Sequence, residues 1–471
     1  MAINDFKEFI LNNQDKKNPL YITTSMVQYP TGYMYLDYGT GSYVTVCNED
    51  DDPLFQYHNI GITSGSVNVL VAKSQGGKTS LAMAEGVAII EPYITQALYY
   101  ASIRDTLSYA KAKKIPKEIT DAPFIQILDT EKTLPIDYAK KISRYTNKLT
   151  ERHIVINQIT TDRDLMVALD KHVKFKVEYM QKCVQPMLDM FGHPIIDYPP
   201  TVFIIDSMSQ LLLEDCDDPS TAKKGKGDIL DIYATATQNT AGARRAKIIT
   251  ALYSQLVNYA KRYNVCIFSI NHINKLLPGP NGVPTKQYRG LRPGETIGGG
   301  ERAIYLASTI LRLDFIKQVN SVSASAVNLG EDVTGHISIA KWIKSKSNSK
   351  ENSCQLVYTN KAGYDPLLSN LWYGKETGDL TRVGNSYCLD AYPQYKFNFR
   401  NYAEVFGDHP EMFTAYYDEL RDKCSKMLDN PEEARKADKK LLNDIREDLR
   451  SDFGHSDAMD MDDMFMEAFN A

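Results

Sequence analysis

The chain has 471 residues, 43% of them hydrophobic, which is enough for two or three domains or for one large α/β core with extensions. Its formal net charge of −5 excludes a globally basic protein, so any binding of nucleic acid has to rest on local charge. The seven cysteines form no Cys-x-x-Cys pair, which argues against a zinc site, and neither a leader nor a membrane-spanning apolar run is evident, so we expect a cytoplasmic protein without a membrane partner.

The N-terminal residues show a short amphipathic pattern. Phe6, Phe9 and Ile10 have helical spacing and run into a polar segment. The pattern predicts a detachable N-terminal arm, and a frayed terminus is the alternative.

A phosphate-binding loop is indicated at residues 67–85. The apolar run 67–71 predicts a strand, the Gly-rich segment after it a turn, and residues 81–85 a helix. In this order, the turn aims backbone N–H groups and the positive helix end at a polyphosphate. We expect Lys78 to reach the β- and γ-phosphates and Thr79 to ligate Mg²⁺. The residues expected to line the nucleotide are Ser74, Gln75, Gly76, Gly77, Lys78, Thr79 and Ser80.

A candidate base follows the next strand. The apolar run 124–128 ends in Asp129, Thr130 and Glu131. A carboxylate at the tip of the strand after a phosphate loop is where a nucleotide-hydrolysing enzyme places the base that polarises water. Most carboxylates at strand tips are instead turn or cap residues. The residues alone leave both interpretations open.

A second nucleotide motif lies at residues 201–206. Its apolar β-formers end in Asp206 and predict a strand that is buried on both faces. We expect the Asp206 carboxylate to lie beside the phosphate loop and to hold the hydration shell of Mg²⁺. Upstream of it, residues 164–191 have the apolar spacing of a long amphipathic helix.

Two basic segments flank the next predicted strand, which ends at Asn271 and His272. Residues 215–247 are rich in Lys and Arg and suit phosphate contacts, although a solvated loop has the same composition. Residues 273–300 are rich in Gly and Pro, and their cations surround Tyr288. A long loop that combines cations with an aromatic ring is typical of a grip on a single nucleic-acid strand.

The rest of the chain predicts a helix after residue 300, then strands at 310–315, 336–340 and 355–358. Residues 396–450 are highly charged and predict helices. The last stretch, 457–471, mixes acidic residues with Met and Phe, and we expect it to be disordered when free.

The order of these motifs resembles that of a known family. Phosphate loop, Asp-Thr-Glu, Ile-Ile-Asp-Ser, basic loop, Asn-His, Gly/Pro loop, Gly-Gly-Gly-Glu-Arg-Ala and Ile-Leu-Arg-Leu-Asp follow one another within residues 30–365. In this order they resemble the RecA family of ATP-dependent homologous-recombination strand-exchange proteins, above all its bacteriophage, UvsX-like branch. The resemblance implies an α/β fold: a RecA-like phosphate-loop ATPase core with a mostly parallel central sheet flanked by helices.

The resemblance also implies a division of the chain. The expected parts are a polymerisation segment (1–30), the ATPase core (31–375), a C-terminal helical region (376–456) and an acidic disordered tail (457–471). Within the core, residues 217–243 and 273–300 correspond to two DNA-binding loops.

Roles for individual residues follow from the same resemblance. It implies that Glu131 is the catalytic base, that Tyr138 stacks on adenine, and that Asn271 and His272 sense the γ-phosphate. Lys344 and Lys346 correspond to catalytic lysines that reach the ATP of the neighbouring subunit. Asp206 and Thr79 correspond to the Mg²⁺ contacts. The DNA contacts implied are Lys223, Lys224, Lys226, Arg244, Arg245, Lys247, Lys275, Lys286, Arg289, Arg292, Gly299 and Gly300.

The activity implied is that of an ATP- and Mg²⁺-dependent recombinase that forms filaments on single-stranded DNA and pairs it with homologous duplex DNA. Single-strand-binding and loader proteins are the further partners implied, in the cytoplasm of a host cell if the protein is viral. A hexameric replicative helicase of related fold and a recombination mediator that does not hydrolyse ATP are the alternatives.

Three departures from the family pattern bear on these expectations. Ala72 stands where the phosphate loop usually has its first glycine, and glycine tolerates a tight turn better. An insertion of roughly thirty residues precedes Glu131, which permits another alignment in which residues 100–104 take that place and supply no Glu. The first basic loop is also longer than the family pattern.

Overall fold

The structure is a computed structural model. It describes residues 28–47, 53–63, 65–73, 76–104, 123–135, 137, 153–179, 187–188, 194–195, 200–213, 239–275, 291–297, 301–319, 334–348 and 352–428. The predicted N-terminal arm, most of both basic loops and the predicted acidic tail lie outside the described residues.

The described elements alternate between strands and helices along most of the chain. The strands are β1 (Gln28–Tyr29), β2 (Ser42–Cys47), β3 (Pro53–Asn59), β4 (Ile62–Thr63), β5 (Val67–Ala72), β6 (Ile125–Asp129), β7 (Ile154–Gln158), β8 (Met187–Leu188), β9 (Pro194–Ile195), β10 (Thr201–Asp206), β11 (Val265–Lys275), β12 (Glu295–Ile297), β13 (Thr309–Val319), β14 (Gly335–Ser345), β15 (Ser353–Thr359), β16 (Gly363–Tyr364), β17 (Thr381–Val383), β18 (Ser386–Leu389) and β19 (Tyr392–Phe397). The helices are α1 (Met34–Thr40), α2 (Lys78–Arg104), α3 (Asp162–Tyr179), α4 (Asn239–Tyr263), α5 (Glu301–Leu306), α6 (Pro366–Thr377), α7 (Tyr402–Asp408) and α8 (Pro410–Cys424).

A ten-stranded sheet, counted over the described residues, forms the centre of the molecule. Its order is β16-β15-β14-β13-β5-β11-β10-β6-β7, with β12 paired to β11. The strands from β13 through β7 run parallel, whereas β14, β15 and β16 extend the sheet with antiparallel pairs. The prediction of an α/β protein with a mostly parallel central sheet flanked by helices is therefore confirmed.

The interiors of the parallel strands are largely apolar because helices cover both faces of the sheet. In β5, Val67, Val69 and Val71 face one hydrophobic cluster, and Leu70 and Ala72 face the other. Helices α3 and α4 pack into the first cluster. Helices α1, α2, α6 and α8 pack into the second. Water therefore has little access to the interiors of the central strands β5, β10 and β11, and the candidate site residues lie near the carboxyl ends of these strands.

Two predicted helical stretches differ from the structure. The helix predicted at 164–191 is α3, which ends at Tyr179, and β8 lies inside the remainder of that stretch. Pro186 lacks the N–H that a helix interior needs, so the sequence itself disfavours a helix that continues to residue 191. In the region 376–456, the antiparallel strands β17, β18 and β19 precede the helices α7 and α8.

This C-terminal region is continuous with the sheet. Asp365 caps the N-terminus of α6, where its carboxylate accepts the backbone N–H of Leu368 at 3.1 Å, and Gly378 caps the C-terminus with a φ of 80°. Phe397, Phe406 and Tyr416 then enter the same hydrophobic cluster as α2. None of the helices in the described ranges is long and apolar enough to cross a membrane.

Candidate functional site

The carboxyl ends of β5, β11, β10 and β6 meet at one edge of the sheet. Asp206 pairs in register with Asp129, and His272 pairs with Ala72. In open α/β sheets, ligands bind in the crevice outside this edge. The polar residues predicted from separate motifs are therefore brought together by the order of the parallel strands.

The phosphate loop joins β5 to α2. The backbone N–H of Gly76 donates to the Lys73 carbonyl oxygen at 3.2 Å, and Gly77 has a φ of +75°, which favours glycine. The Lys78 Nζ donates to the same carbonyl at 3.1 Å. Burial lowers the pKa of Lys78, although the carboxylates of Asp206 and Glu131 act in the opposite direction.

Ala72 causes no strain in this loop. It is the last residue of β5, is fully buried, and is not among the described residues with positive φ. The close contact is instead between Ala72 and Gly76, because a Cβ atom on Gly76 would lie 2.6 Å from the Ala72 Cβ. The position that the family pattern gives to glycine is thus an ordinary strand position here, and Gly76 accommodates the alanine methyl.

Thr79 and Asp206 form the closest contact between the two nucleotide motifs. The Thr79 hydroxyl donates to Asp206 Oδ2 at 2.6 Å. Burial raises the pKa of Asp206, and the hydrogen bond from Thr79 partly offsets this effect. Hydroxyl and carboxylate oxygens are ligands that suit Mg²⁺, which is usually held by one or two such groups together with substrate phosphates. Among the described residues, no group of three or more His, Cys, Asp or Glu could hold a metal alone.

Thr130 ties the end of β6 to the end of β10. Its backbone N–H donates to the Asp206 carbonyl oxygen at 2.7 Å, and its hydroxyl accepts the Ser207 N–H at 2.8 Å. The Asp206–Ser207 peptide bond between these contacts is cis. The two hydrogen bonds of Thr130 hold the backbone of Asp206 and Ser207 next to the contact between the Asp206 carboxylate and Thr79.

Glu131 lies in a turn that Asp129 builds. The buried Asp129 carboxylate accepts the backbone N–H groups of Glu131, Lys132 and Leu134 at 3.1, 2.8 and 2.9 Å. Glu131 Oε1 lies 3.4 Å from His272 Nε2 and 3.5 Å from Ser207 Oγ. The Glu131 side chain is 38% exposed, so water reaches the carboxylate. Asp129 is the turn residue of this motif, and Glu131 is the solvent-accessible carboxylate at the strand ends, where it contacts His272 and Ser207.

The alternative alignment placed residues 100–104 at this position. Those residues form the C-terminal end of α2. At a rise of about 1.5 Å per residue, they lie roughly 33–39 Å along the helix from Lys78. The geometry therefore favours Glu131 over a site without a Glu.

Asn271 and His272 point to opposite faces of the sheet, as consecutive strand residues do. His272 meets Glu131, whereas the Asn271 amide is buried and donates to Tyr253 Oη at 3.1 Å and to Ser269 Oγ at 3.2 Å. Tyr253 belongs to α4, which covers the face of the sheet opposite to the one that α2 covers. The structure places only His272 of this predicted pair beside the candidate base.

Lys344 and Lys346 contact the C-terminal end of α5. The Lys344 Nζ donates to the carbonyl oxygens of Ile304 and Tyr305 at 2.6 and 2.7 Å, and the Lys346 Nζ donates to that of Leu306 at 3.3 Å. Cations are favourable at this end of a helix. Burial and the neighbouring Lys346 lower the pKa of Lys344 to about 8. Within the described residues of one chain, neither lysine contacts the Lys78 cluster.

The described residues include the bases of both basic loops. Lys275 is exposed at the end of β11, and Lys247 is exposed on α4. Arg244 and Arg245 lie in the first turns of α4.

Ser80 is described and buried behind Thr79. The predicted site residues that lie outside the described residues are Ser74, Gln75, Tyr138, Lys223, Lys224, Lys226, Lys286, Arg289, Gly299 and Gly300.

Sequence reasoning missed the buried ion pairs of Arg312. This residue of β13 contacts both Glu295 and Asp314. A detectable pattern was present, because Arg312 and Asp314 stand two residues apart in an otherwise apolar strand and therefore share a face. The roles of Thr130 and Ser207 had no such pattern, because short polar residues at strand ends are common.

Comparison with protein-family models gives no match to the chain, and comparison with curated proteins gives none either. The chain's own residues and geometry therefore carry any assignment of function.

The contact between Gly76 and Ala72 yields a prediction. Gly76→Ala should lower the free energy of unfolding by about 1–3 kcal/mol, because its Cβ would overlap the Ala72 methyl at 2.6 Å. Adding Ala72→Gly should restore part of the loss. Chemical denaturation measures both.

Gly407→Ala is the matched control, since nothing lies within 4 Å of its Cβ position in α7. It should be neutral or slightly stabilising. Equal stabilities for Gly76→Ala and Gly407→Ala would contradict the close approach.

Proposed function

We propose that the chain is an ATP-hydrolysing strand-exchange protein of the RecA family, with a RecA-like core. In this proposal it forms filaments on single-stranded DNA, pairs that strand with homologous duplex, and serves recombination, repair and recombination-dependent replication. The observation that carries the proposal is the contact of Thr79 with Asp206 at 2.6 Å, beside Lys78 and Glu131. The resemblance in motif order supplies the family.

The donor set fits ATP with Mg²⁺. Lys78 supplies a cation for the phosphates, and Thr79 and Asp206 supply the hard oxygen ligands that Mg²⁺ prefers. When bound, Mg²⁺ neutralises charge on the phosphate oxygens. The exposed Glu131 carboxylate accepts a proton from the attacking water and orients it, as a general base does. His272 and Ser207 hold the Glu131 carboxylate toward the strand ends.

The connection to DNA runs through β11. This strand brings His272 beside Glu131, and three residues later it ends at Lys275, where the proposed second DNA loop begins. In the proposal, β11 is a rigid element shared by the nucleotide site and the DNA site, because it contacts the candidate base and leads into the DNA loop. The proposed grip is on the phosphate backbone, so binding should weaken steeply with salt.

Filament assembly would complete the catalytic site. In the proposal, Lys344 and Lys346 exchange the carbonyl oxygens of α5 for the phosphate oxygens of ATP in the neighbouring subunit. Positive charge on the developing transition state would then be available only where two subunits meet. Hydrolysis would thereby depend on assembly.

The proposal is tested by ATP turnover with and without single-stranded DNA, together with electron microscopy of the same sample. We expect DNA-stimulated turnover and open helical filaments, and Lys78→Ala should abolish the turnover. Lys361→Ala, an exposed lysine in a turn, is the control and should leave turnover unchanged. Closed rings would indicate the helicase instead, and an absence of turnover would indicate the mediator.

A second prediction concerns the base. Glu131→Gln should retain ATP binding but lower turnover by about 10²–10⁴-fold, because the amide cannot accept the proton of the attacking water. Nucleotide affinity and single-turnover rates separate the two effects. Glu404→Gln, at an exposed position on α7, is the control. Unchanged turnover in Glu131→Gln would show that another group is the base.

A further inference from the structure

A buried arginine joins two carboxylates beside the phosphate-loop strand. The Arg312 side chain is 3% exposed. Its Nη1 donates to Glu295 Oε2 at 2.5 Å, and its Nε donates to Asp314 Oδ2 at 2.7 Å. Second contacts to Glu295 Oε1 at 3.3 Å and Asp314 Oδ1 at 3.0 Å make both pairs bidentate. All three nitrogens of the guanidinium donate to these two residues.

The network spans two segments with different proposed roles. Arg312 pairs in register with Val71 of β5, one residue before the strand ends at the phosphate loop. Glu295 belongs to β12, which closes the second basic loop and pairs with Lys275 of β11, where that loop opens. The ion pairs thus tie the base of the loop to the strand next to the phosphate loop.

Arg292 extends the network to the surface. Its backbone N–H donates to Glu295 Oε2 at 3.0 Å, and its guanidinium lies 3.7 Å from Asp314 Oδ2. The Arg292 side chain is 64% exposed, in contrast to the buried Arg312. Asp314 is therefore shared by two arginines, and two cations balance two carboxylates.

A nucleic-acid phosphate near Arg292 would compete with Asp314 for that arginine. The buried Arg312 cannot lose its partners without a large desolvation cost, so Asp314 and Glu295 must then readjust around it. Because Glu295 also holds the Arg292 backbone, the readjustment involves the loop base and β13 together. Lys275 lies at the same loop base and its backbone pairs with that of Glu295, but among the described residues its side chain forms no ion pair with this network.

We propose that Arg312 is a positioning residue that couples nucleic-acid phosphates at Arg292 to the phosphate loop through its shared carboxylates, Glu295 and Asp314. This inference rests on the proposed function and deepens it. Coupling between two binding sites is reciprocal, so nucleotide must strengthen nucleic-acid binding by the same factor by which nucleic acid strengthens nucleotide binding.

The test measures the affinity of labelled oligo-dT with and without a non-hydrolysable ATP analogue; the ratio of the two affinities is the coupling factor. Asp314→Asn removes the shared charge and should lower the coupling factor by about fivefold or more. Arg292→Gln and Lys275→Gln form a matched pair of exposed cations. Both should weaken binding of oligo-dT, but only Arg292→Gln should lower the coupling factor.

The outcomes separate the two proposals. A wild-type protein that binds neither oligo-dT nor the analogue contradicts the proposed function itself. A wild-type coupling factor that is retained in both Asp314→Asn and Arg292→Gln overturns the coupling role while leaving the proposed function intact. If Asp314→Asn does not fold, the exposed pair Arg292→Gln and Lys275→Gln decides, with thermal midpoints confirming that both variants are folded.

Discussion

The hydrogen bond between Thr79 and Asp206 is the contact on which the candidate site depends. Thr79 is the second residue of α2, and Asp206 ends β10, two strands away from β5. They meet because β5, β11 and β10 are parallel neighbours. The carboxyl ends of these strands therefore lie at one edge of the sheet, where α2 also begins. Burial raises the pKa of Asp206, and the hydrogen bond from Thr79 stabilises its charged form.

The coverage of both sheet faces explains where the other polar groups lie. Apolar side chains fill most of the strand interiors, so the polar groups of the candidate site lie at strand ends or pair with one another. The strand ends hold Thr130, Glu131 and His272. The buried Arg312 is instead paired with two carboxylates. Asn271 lies on the opposite face, where Tyr253 and Ser269 accept from its amide nitrogen, while its buried Oδ1 has no hydrogen-bond partner among the described residues.

Much of the central sheet follows from the sequence, because long apolar runs predict buried strands and their terminal polar residues predict the ligand edge. Asp206 and Lys78 were predictable for this reason. The direction of Asn271 was not, because it depends on which face each helix covers. The strands between Thr381 and Phe397 were missed because they are short, whereas burial of Phe397 in the large hydrophobic cluster of the sheet helps to place them. The pairing of Arg312 with Glu295 required knowledge of how the second loop closes.

Binding of a non-hydrolysable ATP analogue with and without Mg²⁺, compared between the wild type and Thr79→Val, tests the central claim most directly. Valine keeps the shape of threonine but removes the hydroxyl that contacts Asp206. We predict that Mg²⁺ tightens binding by the wild type and that Thr79→Val loses about tenfold or more of this gain. A wild type that does not bind the analogue, or a Thr79→Val variant that keeps the full Mg²⁺ effect, would contradict the assignment of this strand edge as a nucleotide site.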